Sequence, residues 1–170
     1  MNPVTIRPAT PDDADHIIAF NTALAAETEG KTLDASTLAV GVREALADPS
    51  RSLYFMAEVD GAVVGQTMVT FEWSDWRNAF FWWIQSVYVD SRFRRRGVFR
   101  ALHDHVRREA RSRPDVCGLR LYVHHDNHRA MKTYERLGMP QGNYFMCEED
   151  WSGPERCGDS RTLCLRPPES

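Results

Sequence analysis

The spacing of hydrophobic and polar positions changes several times along the chain, and each change predicts a different structural element. Near the start, Ile17, Phe20 and Leu24 recur at the spacing of one helical face. The segment 10–13, Thr-Pro-Asp-Asp, precedes this stripe and has the form of a capping box with proline in the first helical turn. We therefore predict that a helix begins at this segment and buries the stripe.

The middle of the chain changes to the pattern of β-structure. Residues 52–59 and 62–73 are rich in β-branched and aromatic side chains, and Asp60-Gly61 between them is typical of a two-residue hairpin turn. A third apolar run, 80–89, follows a polar loop. These three runs predict an antiparallel meander.

From Gly97 the spacing becomes helical again, because Phe99, Leu102, Val106 and Ala110 fall on one face. The predicted elements are a strand at 4–7, helices over 11–26 and 34–47, strands over 52–59, 62–73 and 80–89, a helix over 97–114, a strand over 119–123, a helix from 126 or 127 to 137, and closing strands at 143–148 and 162–165. This order predicts an α/β, or α+β, layered fold in which helices cover a mixed sheet.

Length and composition favour one globular domain. The chain has 170 residues, of which 42% are hydrophobic and 26% charged, so we expect a single domain over 1–170. No apolar run approaches the roughly 18 residues that span a bilayer, and the N-terminal segment carries acids where a signal peptide is basic and then apolar. We expect a cytoplasmic protein with no membrane attachment.

Cysteine and histidine positions argue against a metal site. The four cysteines include no CxxC pair, so we expect reduced thiols rather than a zinc site. His124, His125 and His128 are close in sequence, but adjacent residues of a strand would face opposite sides of the sheet. We therefore predict that no metal is bound.

The charge of the chain is unevenly distributed. The net charge is −3, yet residues 92–113 contain nine arginines and only two acids. Within this basic segment, Gly97 follows Arg94, Arg95 and Arg96 at the predicted start of a helix. Unpaired main-chain N–H groups and the helix dipole favour an anion at such a position. Because the phosphate-binding patterns GxxxxGK[ST] and GxGxxG are both absent, the loop must belong to another class of anion site.

Two motifs in the second half of the chain resemble those of the GNAT superfamily of N-acetyltransferases. Residues 94–99, RRRGVF, resemble the pyrophosphate loop Q/R-x-x-G-x-G/A, and residues 127–139, NHRAMKTYERLGM, resemble N-x-x-A-x-x-x-Y-x-x-x-G-F. Phe99 and Met139 depart from these patterns. The resemblance implies a GNAT-like mixed, mostly antiparallel sheet of six to seven strands, with helices on both faces and a cleft where the fourth and fifth strands splay apart.

The same resemblance implies that acetyl-CoA is the cofactor and occupies this cleft. The residues implied to hold it come from the fourth strand, from the arginine loop with the helix after it, and from the second motif. They are Ser86, Val87, Tyr88, Val89, Arg94, Arg95, Arg96, Gly97, Val98, Phe99, Arg100, Ala101, Asn127 and Tyr134. The implied activity is acetyl transfer to a primary amine of a small molecule, an amino-acid-like compound or a protein.

Acetyl transfer to an amine needs an acid that returns a proton to the departing thiolate. Tyr134 is the expected acid, because a phenol with a pKa near 10 stays protonated at neutral pH. We expect direct attack within a ternary complex, since no cysteine is placed beside the inferred thioester site. The alternatives are purely structural roles, in which Tyr134 is a packed core residue and Asn127 only caps a helix.

The residues that would activate and bind the amine are indicated less directly. No carboxylate occurs in 82–85 of the fourth strand, so the candidate bases are Glu72 and Glu27 or Glu29, of which Glu72 and Glu29 rank first. Proton transfer through ordered water is an equal alternative. Glu27 and Glu29 would attract a cationic amine, and Trp73 offers an aromatic face to an ammonium group.

Alternatives of other classes remain open at this point. Trp82 and Trp83 point to opposite faces of a strand, so at least one is expected in the core. The arginine segment could bind nucleic acid, although no stacking platform or helix-turn-helix pattern accompanies it. A degenerate GNAT domain that senses acyl-CoA without turnover is a second alternative.

The number of aromatic residues and the tail after Asp150 also make a homodimer a reasonable expectation.

Overall fold

The protein is described by a computed structural model over residues 3–151, which form two compact units, 3–125 and 126–151. The first unit contains a five-stranded sheet in the order β1-β2-β3-β4-β5. Its elements are β1 (Thr5–Pro8), α1 (Ala14–Glu29), α2 (Ala35–Ala47), β2 (Ser52–Val59), β3 (Ala62–Ser74), β4 (Ala79–Val89), α3 (Val98–Ser112) and β5 (Val116–Leu121), with short 3-10 turns at Pro11–Asp13 and Ser91–Phe93; the second unit contains α4 (His128–Arg136). The predicted α/β class is confirmed.

The chain enters α1 through an ion-paired turn. Asp13 is 4% exposed, and its carboxylate accepts two hydrogen bonds from Arg7, at 2.7 and 2.8 Å. The Thr10 N–H donates to the same carboxylate at 2.7 Å, as a capping box requires. Arg7 also donates to Glu58 of β2 at 2.7 Å. This cluster therefore fixes the start of α1 on the β1–β2 pair.

Helices cover both faces of the sheet. On one face, α1 and α2 bury Ile17 and Val42 against Tyr54 and Met56 of β2. On the other face, α3 buries Leu102, Val106 and Ala110 of its predicted stripe. The fourth predicted member, Phe99, is only half-buried, and the neighbouring Val98 is buried instead at 1% exposed. Helix α3 is placed there by contacts such as the edge-on packing of His105 against Phe55, with ring centroids 4.8 Å apart.

Strands β1 to β4 are antiparallel to their neighbours, and β5 runs parallel to β4. The β4–β5 pairing ends at Ile84 and Leu121, while β4 continues to Val89. The two strands thus part over the last five residues of β4, as the resemblance implied.

A β-bulge interrupts β4 in this separated part. Ser86 and Val87 together face the single residue Thr67 of β3, and Ser86 has a φ of 48°. The extra residue shifts the alternation of β4, so Tyr88 lies opposite Gln66 and faces α1. Its ring contacts Phe20 of α1, with centroids 5.1 Å apart.

Some predicted boundaries and strands were wrong. β5 occupies Val116–Leu121 rather than 119–123, because the chain enters it directly after the proline that ends α3. The predicted strand at 143–148 is absent from the described residues, and Tyr144 and Phe145 there are 88% and 87% exposed. An apolar run forms a strand only where a partner completes its ladder. The five described strands therefore fall short of the expected six to seven, and 162–165 lies outside the described residues.

No helix of residues 3–151 is long and apolar enough to cross a membrane.

Candidate active site

The predicted cofactor strand lies where β4 leaves β5. Residues 86–89 follow the last β4–β5 pair, so no strand in the described part of the chain occupies their β5 side. The bulge at Ser86 turns the main chain locally out of the regular ladder. Strand pairing therefore leaves this edge open, as the resemblance to GNAT enzymes implied, and within it the Ser86 and Val89 carbonyls accept from Gln66 and Arg94.

The loop after β4 has the geometry of an anion site. Arg95 and Gly97 have positive φ values of 62° and 84°, and this alternation curls the backbone so that successive N–H groups converge. Among the described residues, no backbone carbonyl accepts from the N–H groups of 95–98. The Ala101 N–H, by contrast, already donates to the Gly97 carbonyl at 2.9 Å. The predicted loop residues are thus brought together, with Ala101 satisfied inside the helix.

The side chains of this loop divide between core and solvent. Val98 is buried close to Gly65 of β3, where an added Cβ would lie 2.8 Å from the Tyr88 carbonyl oxygen and 3.4 Å from Val98. Arg95, Arg96 and Arg100 are exposed. The backbone is therefore anchored from below, while the guanidinium groups add positive charge at the start of α3.

Arg94 has a different role from the other loop arginines. Its guanidinium donates to Glu27 at 2.5 Å and to the Val89 carbonyl at 2.8 Å, and it lies over the Tyr88 ring at 5.4 Å. The Tyr88 hydroxyl donates to the other oxygen of Glu27 at 2.9 Å. The hydrogen bond from Arg94 holds the pKa of Glu27 below its usual range, so this carboxylate stays ionised. Glu27, predicted to bind the acceptor, thus connects α1 to the loop after β4.

Glu72, a predicted base, is already engaged on the α1 face of the sheet. One carboxylate oxygen accepts from the Trp83 indole N–H and the other accepts from Arg120 at 2.7 Å. Arg120 lies 3.7 Å from the Phe81 ring centroid, and Trp83 stacks on Tyr122 at 4.3 Å. Glu72 therefore anchors a half-exposed aromatic cluster beside the point where β4 and β5 part.

The remaining predicted acceptor residues are not brought together. Glu29 pairs with Lys31 at 2.8 Å, just beyond the end of α1. Trp73 lies eight residues along β3 from Gly65, which is opposite Val89, so roughly 26 Å of strand separates Trp73 from the cofactor loop. Trp73 packs against Phe80 on the α3 face of the sheet, with ring centroids 4.9 Å apart.

The expectation that Trp82 and Trp83 point to opposite faces is confirmed. Trp82 is 2% exposed and lies beneath Arg113, the residue that follows α3, whose guanidinium is 5.2 Å from the ring. Trp83 is half-buried and points to the α1 face. Only Trp83 therefore borders the region where an acceptor could approach from the α1 side.

The second unit presents the remaining predicted site residues on α4. Asn127 caps this helix, because its side-chain oxygen accepts from the Ala130 N–H at 3.0 Å, so the capping interpretation is confirmed. Tyr134 is half-buried, and burial raises its pKa to about 12. The Tyr134 hydroxyl therefore keeps its proton throughout the neutral range.

The reasoning about His124 and His125 needs one correction. Strand β5 ends at Leu121, so the two histidines do not alternate across a strand, and their rings stack with centroids 4.4 Å apart. Both rings are exposed.

Sequence reasoning missed a group of polar residues beneath the β4 bulge. Gln66 is fully buried, and its amide donates to Asn21 of α1 at 2.7 Å and to the Ser86 carbonyl at 3.4 Å. The Tyr54 hydroxyl lies near the side chains of Asn21 and Ser86, which oppose the rise in its pKa that burial causes. The signal was a glutamine within an otherwise apolar stretch of β3, where a strand buried on both faces favours apolar residues.

Comparison with known proteins agrees with this geometry. The sequence profile of the Acetyltransferase (GNAT) family matches residues 19–139. A possible acetyltransferase from Clostridium difficile 630 is 45% identical, with a TM-score of 0.82 over 86% of this chain and 97% of that one. No curated protein matches the chain.

Two more distant structures share the fold. A predicted acetyltransferase with acetyl-CoA from Clostridium acetobutylicum is 15% identical, with a TM-score of 0.71 over 86% of this chain and 96% of that one. Glucosamine-6-phosphate N-acetyltransferase from Arabidopsis thaliana is 19% identical, with a TM-score of 0.67 over 86% and 98% of the two chains. With the family match over most of its length, this chain belongs to the GNAT family of acetyltransferases.

Proposed function

We propose that the protein is an acetyl-CoA-dependent N-acetyltransferase that acetylates a primary amine by direct attack within a ternary complex. One observation carries the proposal. The unpaired end of β4, the bulge at Ser86 and the left-handed turn at Gly97 follow one another and lead directly into α3. Together they offer an edge for an extended arm and a converging set of N–H groups for a diphosphate.

The residues present fit the cofactor. No heavy atom lies within 4 Å of the position of a Cβ on Gly97, so the backbone is open to a ligand there. The N–H groups of 95–98 have no backbone acceptor among residues 3–151, and Arg95, Arg96 and Arg100 surround them with positive charge. Acetyl-CoA would supply the acetyl group as an activated thioester.

Each part of the chain then has a distinct task. Main-chain groups of 86–89 would hold the pantetheine arm of acetyl-CoA and polarise its thioester carbonyl. The N–H groups of 95–98 would bind the diphosphate of the same cofactor. Tyr134 donates a proton to the departing thiolate, a role that its place in the second motif supports. Burial raises its pKa to about 12, so the hydroxyl is protonated at neutral pH but is a weak acid. Glu72 and Glu29 remain the candidate bases, beside proton transfer through ordered water.

The position of Cys117 supports direct attack over an acetyl-cysteine intermediate. Cys117 donates to the Phe80 carbonyl at 3.3 Å, near the start of β4. Six residues of strand, or about 20 Å, separate Phe80 from the bulge at Ser86. This thiol is therefore far from the main-chain groups proposed to hold the thioester.

A thiol-release assay tests the proposal. The protein is incubated with acetyl-CoA and a panel of primary amines, free thiol is followed by a colorimetric reagent, and products are identified by mass spectrometry. We expect amine-dependent thiol release and an N-acetylated product. Acetyl-CoA binding without turnover across the panel would instead favour the sensor alternative, and the absence of binding would reject both.

A further inference from the structure

A buried polar cluster formed by Asn21, Tyr54 and Gln66 surrounds Ser86 beneath the β4 bulge. The Gln66 amide donates to Asn21 at 2.7 Å and makes a longer contact of 3.4 Å with the Ser86 carbonyl. Burial raises the pKa of Tyr54, and the nearby Asn21 and Ser86 side chains oppose this shift, so the Tyr54 hydroxyl lies close to both. Residues of α1, β2 and β3 therefore hold one residue of β4 from two directions.

Ser86 has a backbone conformation that requires such support. Its φ of 48° lies in the left-handed region, which residues with a Cβ rarely adopt. Such a residue persists only where its surroundings over-determine it. The cluster supplies this restraint, because it contacts both the carbonyl and the side chain of Ser86.

Gln66 is not explained by packing alone. An apolar side chain of similar size would fill the same space without an unpaired polar atom, whereas Gln66 Oε1 has no hydrogen-bond partner among residues 3–151. Burying that oxygen costs stability. The hydrogen bonds donated by the amide group of Gln66 are therefore what distinguishes it from a packing residue.

We propose that Gln66, together with Asn21 and Tyr54, is a positioning residue that holds the β4 bulge in the conformation that binds acetyl-CoA. The inference rests on the proposed function and deepens it, since it names the side chains that preorganise the cofactor edge. Without the cluster, Ser86 relaxes to a negative φ in most molecules. The apparent affinity then equals the intrinsic affinity multiplied by the fraction of molecules that retain the bulge.

The test measures acetyl-CoA affinity by calorimetry in Gln66→Leu, which keeps the buried volume but removes both hydrogen bonds. We expect the dissociation constant to rise about tenfold. Adding Ser86→Gly to this variant should return it to within about threefold of wild type, because glycine adopts positive φ without strain. A purely structural role for Gln66 would lower the melting temperature, and glycine at 86 would not restore binding.

Thr67→Val is the matched control. Thr67 is the next residue of β3, is 1% exposed, and its hydroxyl donates to the Gln85 carbonyl at 3.4 Å rather than to Ser86. Its affinity for acetyl-CoA should stay within twofold of wild type. Equal weakening in Thr67→Val and Gln66→Leu, or no recovery in the double variant, would overturn the inference.

The result separates this inference from the proposed function. If wild type binds acetyl-CoA and Gln66→Leu binds it equally well, only the positioning role fails. If wild type does not bind acetyl-CoA, the proposed function fails. A crystal structure of Gln66→Leu then decides whether Gln66 positions the bulge. A Ser86 φ that stays near 48° would then reject the positioning role, and a φ that becomes negative would support it.

Discussion

The Glu27 carboxylate at the end of α1 pairs with the Arg94 guanidinium in the loop after β4, at 2.5 Å. The same carboxylate accepts a hydrogen bond from Tyr88, and Arg94 also binds the Val89 carbonyl. A residue predicted to attract the acceptor amine is therefore joined to residues predicted to hold the cofactor. The Arg94 guanidinium is therefore engaged in contacts within the protein.

Glu27→Gln should weaken acetyl-CoA binding about two- to fivefold, because a half-exposed ion pair contributes at most about 1 kcal/mol. Calorimetry measures this change, and steady-state kinetics measures the KM for the amine. Glu29→Gln is the control for acetyl-CoA affinity, since Glu29 pairs with the neighbouring Lys31. A raised KM for the amine with unchanged acetyl-CoA affinity would contradict the anchoring role and support acceptor binding by Glu27.

Gly97→Val should weaken acetyl-CoA binding at least tenfold. A β-branched residue at a φ of 84° is strained, and relief of that strain moves the N–H groups that converge at the start of α3. Gly61→Val is a matched control, because Gly61 has a φ of 76° and equally open surroundings but lies in the β2–β3 turn. Both variants should lose stability. Unchanged affinity in Gly97→Val would reject the loop as the diphosphate site.

Tyr134→Phe should lower kcat by about 10²- to 10⁴-fold while leaving acetyl-CoA affinity nearly unchanged, as expected for loss of a general acid. Because the pKa of Tyr134 is raised to about 12, its deprotonation should not reduce the wild-type rate below about pH 11. Tyr122→Phe provides a comparison, since Tyr122 is 55% exposed and its ring stacks on Trp83. Turnover by Tyr134→Phe at the wild-type rate would refute the acid role.

Asp13→Asn should lower the free energy of unfolding by about 2 kcal/mol at neutral pH. The Arg7 hydrogen bonds lower the pKa of Asp13 from 3.8 to about 2, and a difference of this size corresponds to that free energy. A lowered folded-state pKa stabilises above the unfolded value, so this contribution is complete above about pH 5 and is lost as the pH falls from 4 towards 2.

Urea unfolding of wild type and Asp13→Asn across pH 2–7 measures this contribution. The two curves should converge towards pH 2, whereas Asp12→Asn, at an exposed position in the same turn, should follow wild type within about 0.5 kcal/mol. A difference between wild type and Asp13→Asn that did not depend on pH would contradict the assigned role of the Arg7–Asp13 pair.

Several elements could be predicted from the sequence because short-range chemistry decides them. Asp34 caps α2 through the Thr37 N–H at 2.8 Å, at the start of the helix predicted over 34–47, and Gly97 lies directly before α3, at the predicted helix start. The stripe of Leu102, Val106 and Ala110 is buried as its spacing required. Residues within about one helical turn are sufficient to specify these features.

Other boundaries depended on contacts that a local pattern does not contain. Helix α1 continues to Glu29 and ends at Gly30 in a left-handed conformation, beyond the predicted end near residue 26. Its last turn carries Glu27, which contacts Tyr88 and Arg94 more than 60 residues later. Trp73 and Glu27 looked like partners in one acceptor pocket, but strand length and side-chain alternation place them at opposite ends and faces of the sheet.

The sequence by itself determined the family, the order of most elements and the glycine turn before α3, because these depend on periodicity and on motifs within a few residues. Only the tertiary structure decided the bulge of β4. No glycine marks its left-handed residue, and Ser86 is held there by Gln66, 20 positions earlier, whose own partner Asn21 lies 45 positions before it. A backbone conformation stabilised by residues so far apart arises only when the folded sheet and helix bring them together.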